Sequence, residues 1–292
     1  MAIEKTAMIT GAAMGMGALM AKTLAGRGWT VFAGVLPGAD TSELGDHPNI
    51  TAVEQDVASD ASVEASAATV KAALDGRPLG LLVNNAGVAN VGIGVVEGLD
   101  IEAGKRCFEI NTWGQVRMLQ AFLPMIRAGA PHSRIINYAS GAVKANPACS
   151  GTYNMSKHAV IGLTNTLRNE LAPFGIEVTS IEPGAVKTHM TANAQETTKD
   201  IWTNVSDEMN AIYGPHLKHT TTEKMVEQIE GGNEPEYVVN GVLDLLDKDT
   251  WKPSYLVGKD VKAMGPLWKL LPARAFEKMI QKAVGIPQYK KN

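Results

Sequence analysis

Tyr153 and Lys157 lie four residues apart in the stretch Ser150-Gly-Thr-Tyr-Asn-Met-Ser-Lys-His158. On a helix this spacing sets a phenol and an ammonium on one face, with Cβ atoms about 5–6 Å apart. A free tyrosine titrates near pH ~10 and is a weak base at neutrality. A cation held beside it favours the phenolate and moves the group toward a range where it can give and take a proton. The expectation is a proton-transfer couple in which Tyr153 has a lowered pKa. A second Tyr-x-x-x-Lys occurs at Tyr255 and Lys259, next to Pro253 and Gly258, in a stretch that reads as a strand. Residues four apart on a strand are separated by about 13 Å, at about 3.3 Å per residue, and cannot couple. Tyr255 and Lys259 are therefore read as structural.

The couple needs elements to hold it. Short apolar runs suited to buried strands at 6–10, 30–35, 50–54, 79–84, 134–138 and 176–181 alternate with helical periods at 15–27, 61–74, 101–127 and 152–172. A last strand near 254–257 completes the series. This rhythm implies parallel βαβ units covered on both sides, an α/β doubly wound parallel sheet of the Rossmann type. With 292 residues and no Pro/Ser/Gly-rich linker, one domain over 1–292 is expected. Ligands of such sheets bind beyond the carboxyl ends of the strands, where strand order reverses. The segment 189–235 leaves from such an end without clear period and is read as a substrate lid. His189 in it is read as an exposed loop histidine. The tail 260–292 is expected to pack near the substrate site.

A net charge of −3 gives no reason to expect nucleic-acid binding. Cys107 and Cys149, the two cysteines, have no metal or redox spacing and are read as buried thiols in a reducing, cytoplasmic setting, with no metal site. The first strand begins near Thr6, which leaves no room for a signal peptide, and no apolar run of about 18 residues spans a membrane. Residues 264–284 mix Leu, Trp, Met and Phe with Lys and Arg. A helix packed on its own domain explains this, with peripheral membrane contact as the alternative.

Three motifs share the expected address. In Thr10-Gly-Ala-Ala-Met-Gly-Met-Gly17, the glycines Gly11, Gly15 and Gly17 permit a tight turn and close approach of backbone N–H groups to a pyrophosphate at a helix N-terminus. In Asn84-Asn-Ala-Gly87, asparagine amides can tie loops together while Ala86 and Gly87 leave space for a flat ligand. Ser140 follows the strand at 134–138 and precedes Tyr153 by 13 residues, so its hydroxyl could bind the oxygen that the phenol serves. Tyr138 is read as pointing away from this group.

Together with Asn111 and Pro183-Gly-x-x-x-Thr188, these motifs resemble, in order and spacing, the short-chain dehydrogenase/reductase family over about residues 5–190. Stretches at 30–36, 111–117 and 167–171 look most like the branch of 3-hydroxybutyrate, retinol and 17β-hydroxysteroid dehydrogenases. The resemblance implies Tyr153 as acid/base, Ser140 orienting the substrate oxygen, Lys157 lowering the tyrosine pKa and binding the nicotinamide ribose, and Asn111 holding a proton-relaying water. It implies nicotinamide-dinucleotide contacts from Gly11, Met14, Gly15, Met16, Gly17, Leu36, Asp56, Val57, Asn84, Ala86, Gly87, Tyr153, Lys157, Pro183, Gly184, Val186 and Thr188. It also implies pairing through the helices at 101–127 and 152–172 into a homodimer or homotetramer.

The end of the second strand carries Val35 and Leu36, neither the acid that meets a ribose 2′-OH nor the Arg that meets a 2′-phosphate. No Lys or Arg occurs between Arg27 and Lys71, whereas Asp40, Glu43, Asp46, Glu54 and Asp56 do. A 2′-phosphate would meet an anionic surrounding, so NAD is expected, with Asp40 near the ribose and Asp56 and Val57 beside the adenine. Met190, Trp202, Met209, Ile212 and Tyr213, without a cluster of cations, suggest an apolar pocket if they face inward. The expected substrate is a fairly hydrophobic secondary alcohol or its ketone. The alternatives are an NADPH-dependent carbonyl reductase on the same scaffold and a non-catalytic dinucleotide sensor; the sensor has no need of Ser140, Tyr153 and Lys157 together.

Overall fold

The computed structural model describes residues 3–188, 201–203 and 205–288. Seven parallel strands form one sheet: β1 Thr6–Ile9, β2 Thr30–Val35, β3 Ile50–Glu54, β4 Leu81–Asn84, β5 Arg134–Tyr138, β6 Glu177–Pro183 and β7 Ser254–Val257. Their order is β3-β2-β1-β4-β5-β6-β7. The direction of progression reverses between β1 and β4, which opens a crevice beyond their carboxyl ends. The loop after β1 carries the glycine motif and the loop after β4 carries Asn85, Ala86 and Gly87, so both expected cofactor loops flank that crevice.

Strand side chains alternate between the faces, and both faces are apolar because helices cover both. Ala7, Ile9, Leu81, Val83 and Ile136 pack with α1 (Gly15–Gly26) and α9 (Pro235–Leu243) on one side. Met8, Leu82, Ile135 and Val178 pack on the other side with α2 (Asp60–Leu74), α4 (Gly114–Ala128) and α6 (Gly151–Leu171). Burying each of the larger side chains among these contributes about 1.5–3 kcal/mol, and the doubly covered sheet is therefore the rigid frame of the molecule.

Local chemistry sets the helix ends. The Ser59 hydroxyl accepts from Ser62 N and starts α2; the Asp100 carboxylate accepts from Glu102 N and Ala103 N and starts α3 (Ile101–Phe108). The helical period at 101–127 is not one regular helix. A widened π turn at Glu109–Trp113 joins α3 to α4 and carries Asn111. A short α5 (Ala142–Ala145) follows Ser140, and α6 runs unbroken through Tyr153 and Lys157. Beyond β6 lie α7 (Asp207–His219), α8 (Met225–Glu230) and α9; after β7 come α10 (Lys259–Leu270) and α11 (Ala273–Ala283). Among the described residues no helix is long and apolar enough to cross a membrane.

The second Tyr-x-x-x-Lys is divided between elements. Tyr255 is on β7, where its hydroxyl accepts from Lys252 N at 2.8 Å, while Lys259 opens α10 with its ammonium 5.7 Å from the Tyr237 ring. Cys107 and Cys149 are both free and buried.

Candidate active site

Two successive turns of α6 bring Tyr153 and Lys157 to the carboxyl end of β5. Lys157 is 4% exposed, and its ammonium donates to the Tyr138 carbonyl at 3.0 Å and stands 5.8 Å from the centre of the Tyr153 ring. Ser140, just past β5, hydrogen-bonds the Tyr153 phenol and accepts from Ala142 N at 3.1 Å through its own hydroxyl. Serine and phenol are thus hydrogen-bonded to each other, with the buried ammonium close to the ring.

The electrostatics depart from the expectation of a lowered tyrosine. Burial pushes the Tyr153 pKa up, and the Ser140 hydrogen bond offsets this only in part. Burial pushes Lys157 down to about 8, because taking a cation out of water favours its neutral form. Desolvation raises the phenol more than its surroundings lower it, since the ammonium is directed at the Tyr138 carbonyl rather than at the phenol oxygen. Burial thus moves the two groups apart in proton affinity: the phenol holds its proton more tightly and the ammonium less tightly than in water.

Asn111 is fully buried in the π turn. Its Oδ1 accepts from Val88 N at 2.8 Å, and its Nδ2 donates to Val88 O at 2.9 Å and Ser156 Oγ at 3.0 Å. Ser156 in turn donates to the Tyr153 carbonyl at 2.8 Å. A Cβ on Gly87 would stand 3.0 Å from Asn111 Oδ1 and 3.3 Å from Lys157 Nζ, so the loop after β4 presses on both residues. Tyr138, Ser156 and Val88 escape sequence reasoning because two of them act through backbone atoms, which carry no residue-type signal. The Tyr138 ring is buried and its phenol pKa is raised by that burial, in keeping with a side chain turned away from the site.

The glycine loop is built for close approach. Gly11 has φ +62°, and a Cβ there would fall 2.9 Å from Ala86 Cα; a Cβ on Gly17 would fall 2.3 Å from Gly11 O. Asn85 locks the two loops together, its Nδ2 donating to Thr10 O at 3.0 Å and Gly11 O at 3.2 Å. The expected loop-tying asparagine is thus Asn85. Asn84 is turned into the sheet, donating to Asn137 Oδ1 at 2.8 Å, because its place on β4 points it at β5. Gly15 begins α1 in space that is open apart from Thr188 Cβ, 3.9 Å from a Cβ built there. A cleft of about 600 Å³ opens at this point, lined by Gly15, Leu19, Lys22, Glu43, Lys187 and Thr188 among others. A glycine cradle facing a threonine across an open cleft, at a helix N-terminus, fits a dinucleotide.

Other expected contacts fall into two groups. Met14 and Leu36 are exposed at the mouth, 48% and 57%, and Thr188 faces Gly15. Met16 is packed against the core, Val57 is buried against Gly114, and the Asp56 carboxylate accepts from Ala58 N at 2.9 Å. The Asp40 carboxylate is engaged by Ser42 N and Oγ, which lowers its pKa, while Glu43 Oε2 accepts from Gly15 N at 2.9 Å. Pro183 ends β6 and its carbonyl accepts from Gly141 N at 2.7 Å; Gly184 and Val186 follow it in the loop.

Of the side chains proposed for an apolar pocket, Trp202 and Met209 are buried with Ile201, Val205, Val95 and Cys149 just ahead of α6. Burial there pushes the Cys149 thiol up to about 11. Tyr213 donates to Glu97 Oε2 at 2.6 Å, and Ile212 faces solvent, 49% exposed, on the outer side of α7. His189 and Met190, with most of the first part of the lid, lie outside the described residues.

Comparison with known proteins agrees with this geometry. The family model for short chain dehydrogenases matches residues 5–199. Over 260 residues the chain is 30% identical to the mitochondrial D-beta-hydroxybutyrate dehydrogenase of Rattus norvegicus, covering 84% of this chain and 74% of the relative. It is 31% identical over 218 residues to human 17-beta-hydroxysteroid dehydrogenase type 2, covering 72% of this chain and 56% of that one. A short chain dehydrogenase of Burkholderia cenocepacia J2315, solved in complex with NADP, shares the fold at a TM-score of 0.72 and 24% identity, over 96% of this chain and 99% of the other. The chain belongs to the short-chain dehydrogenase/reductase family, and with it to the oxidoreductases that use a nicotinamide dinucleotide.

Proposed function

We propose that the protein interconverts a fairly hydrophobic secondary alcohol and its ketone with NAD(H), using Tyr153 as acid/base. The observation that carries this is the hydrogen bond between Ser140 and the Tyr153 phenol, with the buried Lys157 ammonium 5.8 Å from the centre of the same ring, at the carboxyl end of β5. The dinucleotide, when bound, supplies or accepts the hydride at its nicotinamide ring. The protein's part is to align the carbon and manage the proton. Ser140 donates to the substrate oxygen and holds it against the phenol. In oxidation Tyr153 accepts the hydroxyl proton as the carbonyl forms; in reduction it returns one. Lys157 stabilises the phenolate that oxidation demands, and the Asn111 side chain, tied to Val88, fixes the π turn facing the ammonium. A water held at this turn would carry the proton to solvent.

Several features support NAD over NADP. The β2 end offers only Val35 and exposed Leu36, and the acid that reaches the glycine loop is Glu43, whose carboxylate would repel a 2′-phosphate placed nearby. Trp202 and Met209, buried ahead of α6, support an apolar substrate. The names of the rat and human relatives both describe dehydrogenases of hydroxylated compounds, one a short acid and one a steroid. A panel of alcohols and ketones, from short hydroxy acids to aryl and steroid alcohols, offered with NAD(H) and with NADP(H), tests this reading. Turnover of the bulky alcohols with NAD is expected; efficient use of only hydroxy acids, or of only NADP, would contradict it.

A further inference from the structure

The family match ends at residue 199, yet two residues far beyond it grip the loop after β6. Asn233, 7% exposed, lies between α8 and α9 and forms a parallel bridge with Val186. Its backbone N–H donates to Ala185 O at 2.8 Å, and its carbonyl accepts from Lys187 N at 3.0 Å. Its side chain is fully used: Nδ2 donates to Ala185 O at 2.9 Å and to Asp260 Oδ1 at 2.8 Å, and Oδ1 accepts from Lys259 N at 2.8 Å. Asp260, at the start of α10, closes the ring by accepting from Ala185 N through Oδ2 at 2.9 Å. The carboxylate lies so close to the loop that a Cβ on Gly184 would fall 2.0 Å from it, and one on Gly258 2.6 Å. Both glycines are therefore required by the clamp.

We propose that Asn233, held by Asp260, is a positioning residue for the dinucleotide. It fixes the backbone of residues 184–187 and so the placement of Val186 and Thr188 across from Gly15. This rests on the reading that the loop after β6 meets the dinucleotide. The polarity of the pair is specific. Ala185 presents both its N–H and its C=O, and only a carboxylate at 260 with an amide at 233 satisfies both while also donating from one to the other. Asp at 233 would oppose two acceptors, the Ala185 carbonyl and the Asp260 carboxylate, at nearly unchanged shape. Displacing a positioning backbone by even about 1 Å is enough to impair alignment of a bound reactant.

The test is a fluorescence titration with whichever of NADH and NADPH the wild type binds, run on Asn233→Asp, Asp260→Asn and the double variant. Asn233→Asp is expected to weaken binding by about tenfold or more. Asp260→Asn, at an exposed position, should weaken it less. The double variant, in which Asn at 260 donates to Asp at 233 while the Ala185 carbonyl still faces a carboxylate, should bind more tightly than Asn233→Asp without reaching wild type, a coupling that general loosening does not produce. The pH profile of kcat should stay in place, since Tyr153 and Lys157 are untouched. Wild-type affinity in both single variants, or a double variant no better than Asn233→Asp, would overturn the proposal while leaving the cofactor reading intact. Failure of the wild type to bind either dinucleotide would overturn both.

Discussion

Lys157 is the residue in which function and stability oppose each other. Its buried ammonium donates to the Tyr138 carbonyl, and its pKa is drawn down to about 8. A lysine that binds its proton less tightly folded than unfolded loses stability as pH falls below its unfolded value of about 10.4 toward its folded one. Lys157→Met is therefore expected to unfold at a higher temperature than wild type at pH 7 and to lose this advantage above about pH 10.4, where both states are neutral. The gain at pH 7 should be about 1–3 kcal/mol, measured by denaturant titration, with turnover lost. The proton's direction sets the activity profile. Oxidation needs Tyr153 deprotonated and reduction needs it protonated, so the oxidation rate should climb, and the reduction rate decline, as pH rises toward the raised Tyr153 value. Opposite trends in the two directions should be visible in initial rates. Tyr153, Lys157 and Ser140 were legible in the sequence because helical spacing and a strand end make residue type and position sufficient. The sign of the tyrosine shift was not, since it depends on how deeply the phenol is buried and on where the ammonium points.

At the scale of elements, the seven strands and the helices α1, α2 and α6 were legible from apolar runs and helical period, within a few residues at their ends. The π turn at Glu109–Trp113 was not, because the helical pattern runs on through it. What marks it is tertiary: Asn111 reaches both the N–H and the C=O of Val88. Removing that amide leaves a buried donor and acceptor without partners, a cost of about 1–3 kcal/mol each. Asn111→Ala is accordingly expected to lower the denaturant midpoint and to slow turnover while the affinity for dinucleotide changes little; an unchanged midpoint would show that the Val88 peptide finds other partners. Asn84 and Asn85 show the same limit. Neighbours in one motif, they were indistinguishable by type, and only strand register turns one into the sheet and the other onto the glycine loop.

For the whole molecule, the sheet order places the glycine loop, the loop after β4 and the α6 couple around one crevice, and the segments beyond β6 complete it from outside. The grip of Asn233 and Asp260 on that crevice was not legible, because it joins residues in short turns that carry no period. We propose that two copies pair through α4 and α6, where Trp113, in the π turn just before α4, and Met155, on α6, stand more than half exposed, 54% and 53%. Light scattering should then give a dimer or tetramer, and Trp113→Glu should lower the mass; a monomeric wild type would contradict this.

In the proposed reaction Tyr153 carries the proton while the rest of the crevice binds the dinucleotide. This division of roles is tested most directly by comparing wild type with Tyr153→Phe, measuring NADH affinity and alcohol turnover on the same preparations. The variant is expected to bind NADH within about threefold of wild type and to lose about a hundredfold or more in kcat, the range for removal of a general acid/base. A variant that turns over like wild type, or two proteins that both bind NADH and oxidise nothing, would contradict it.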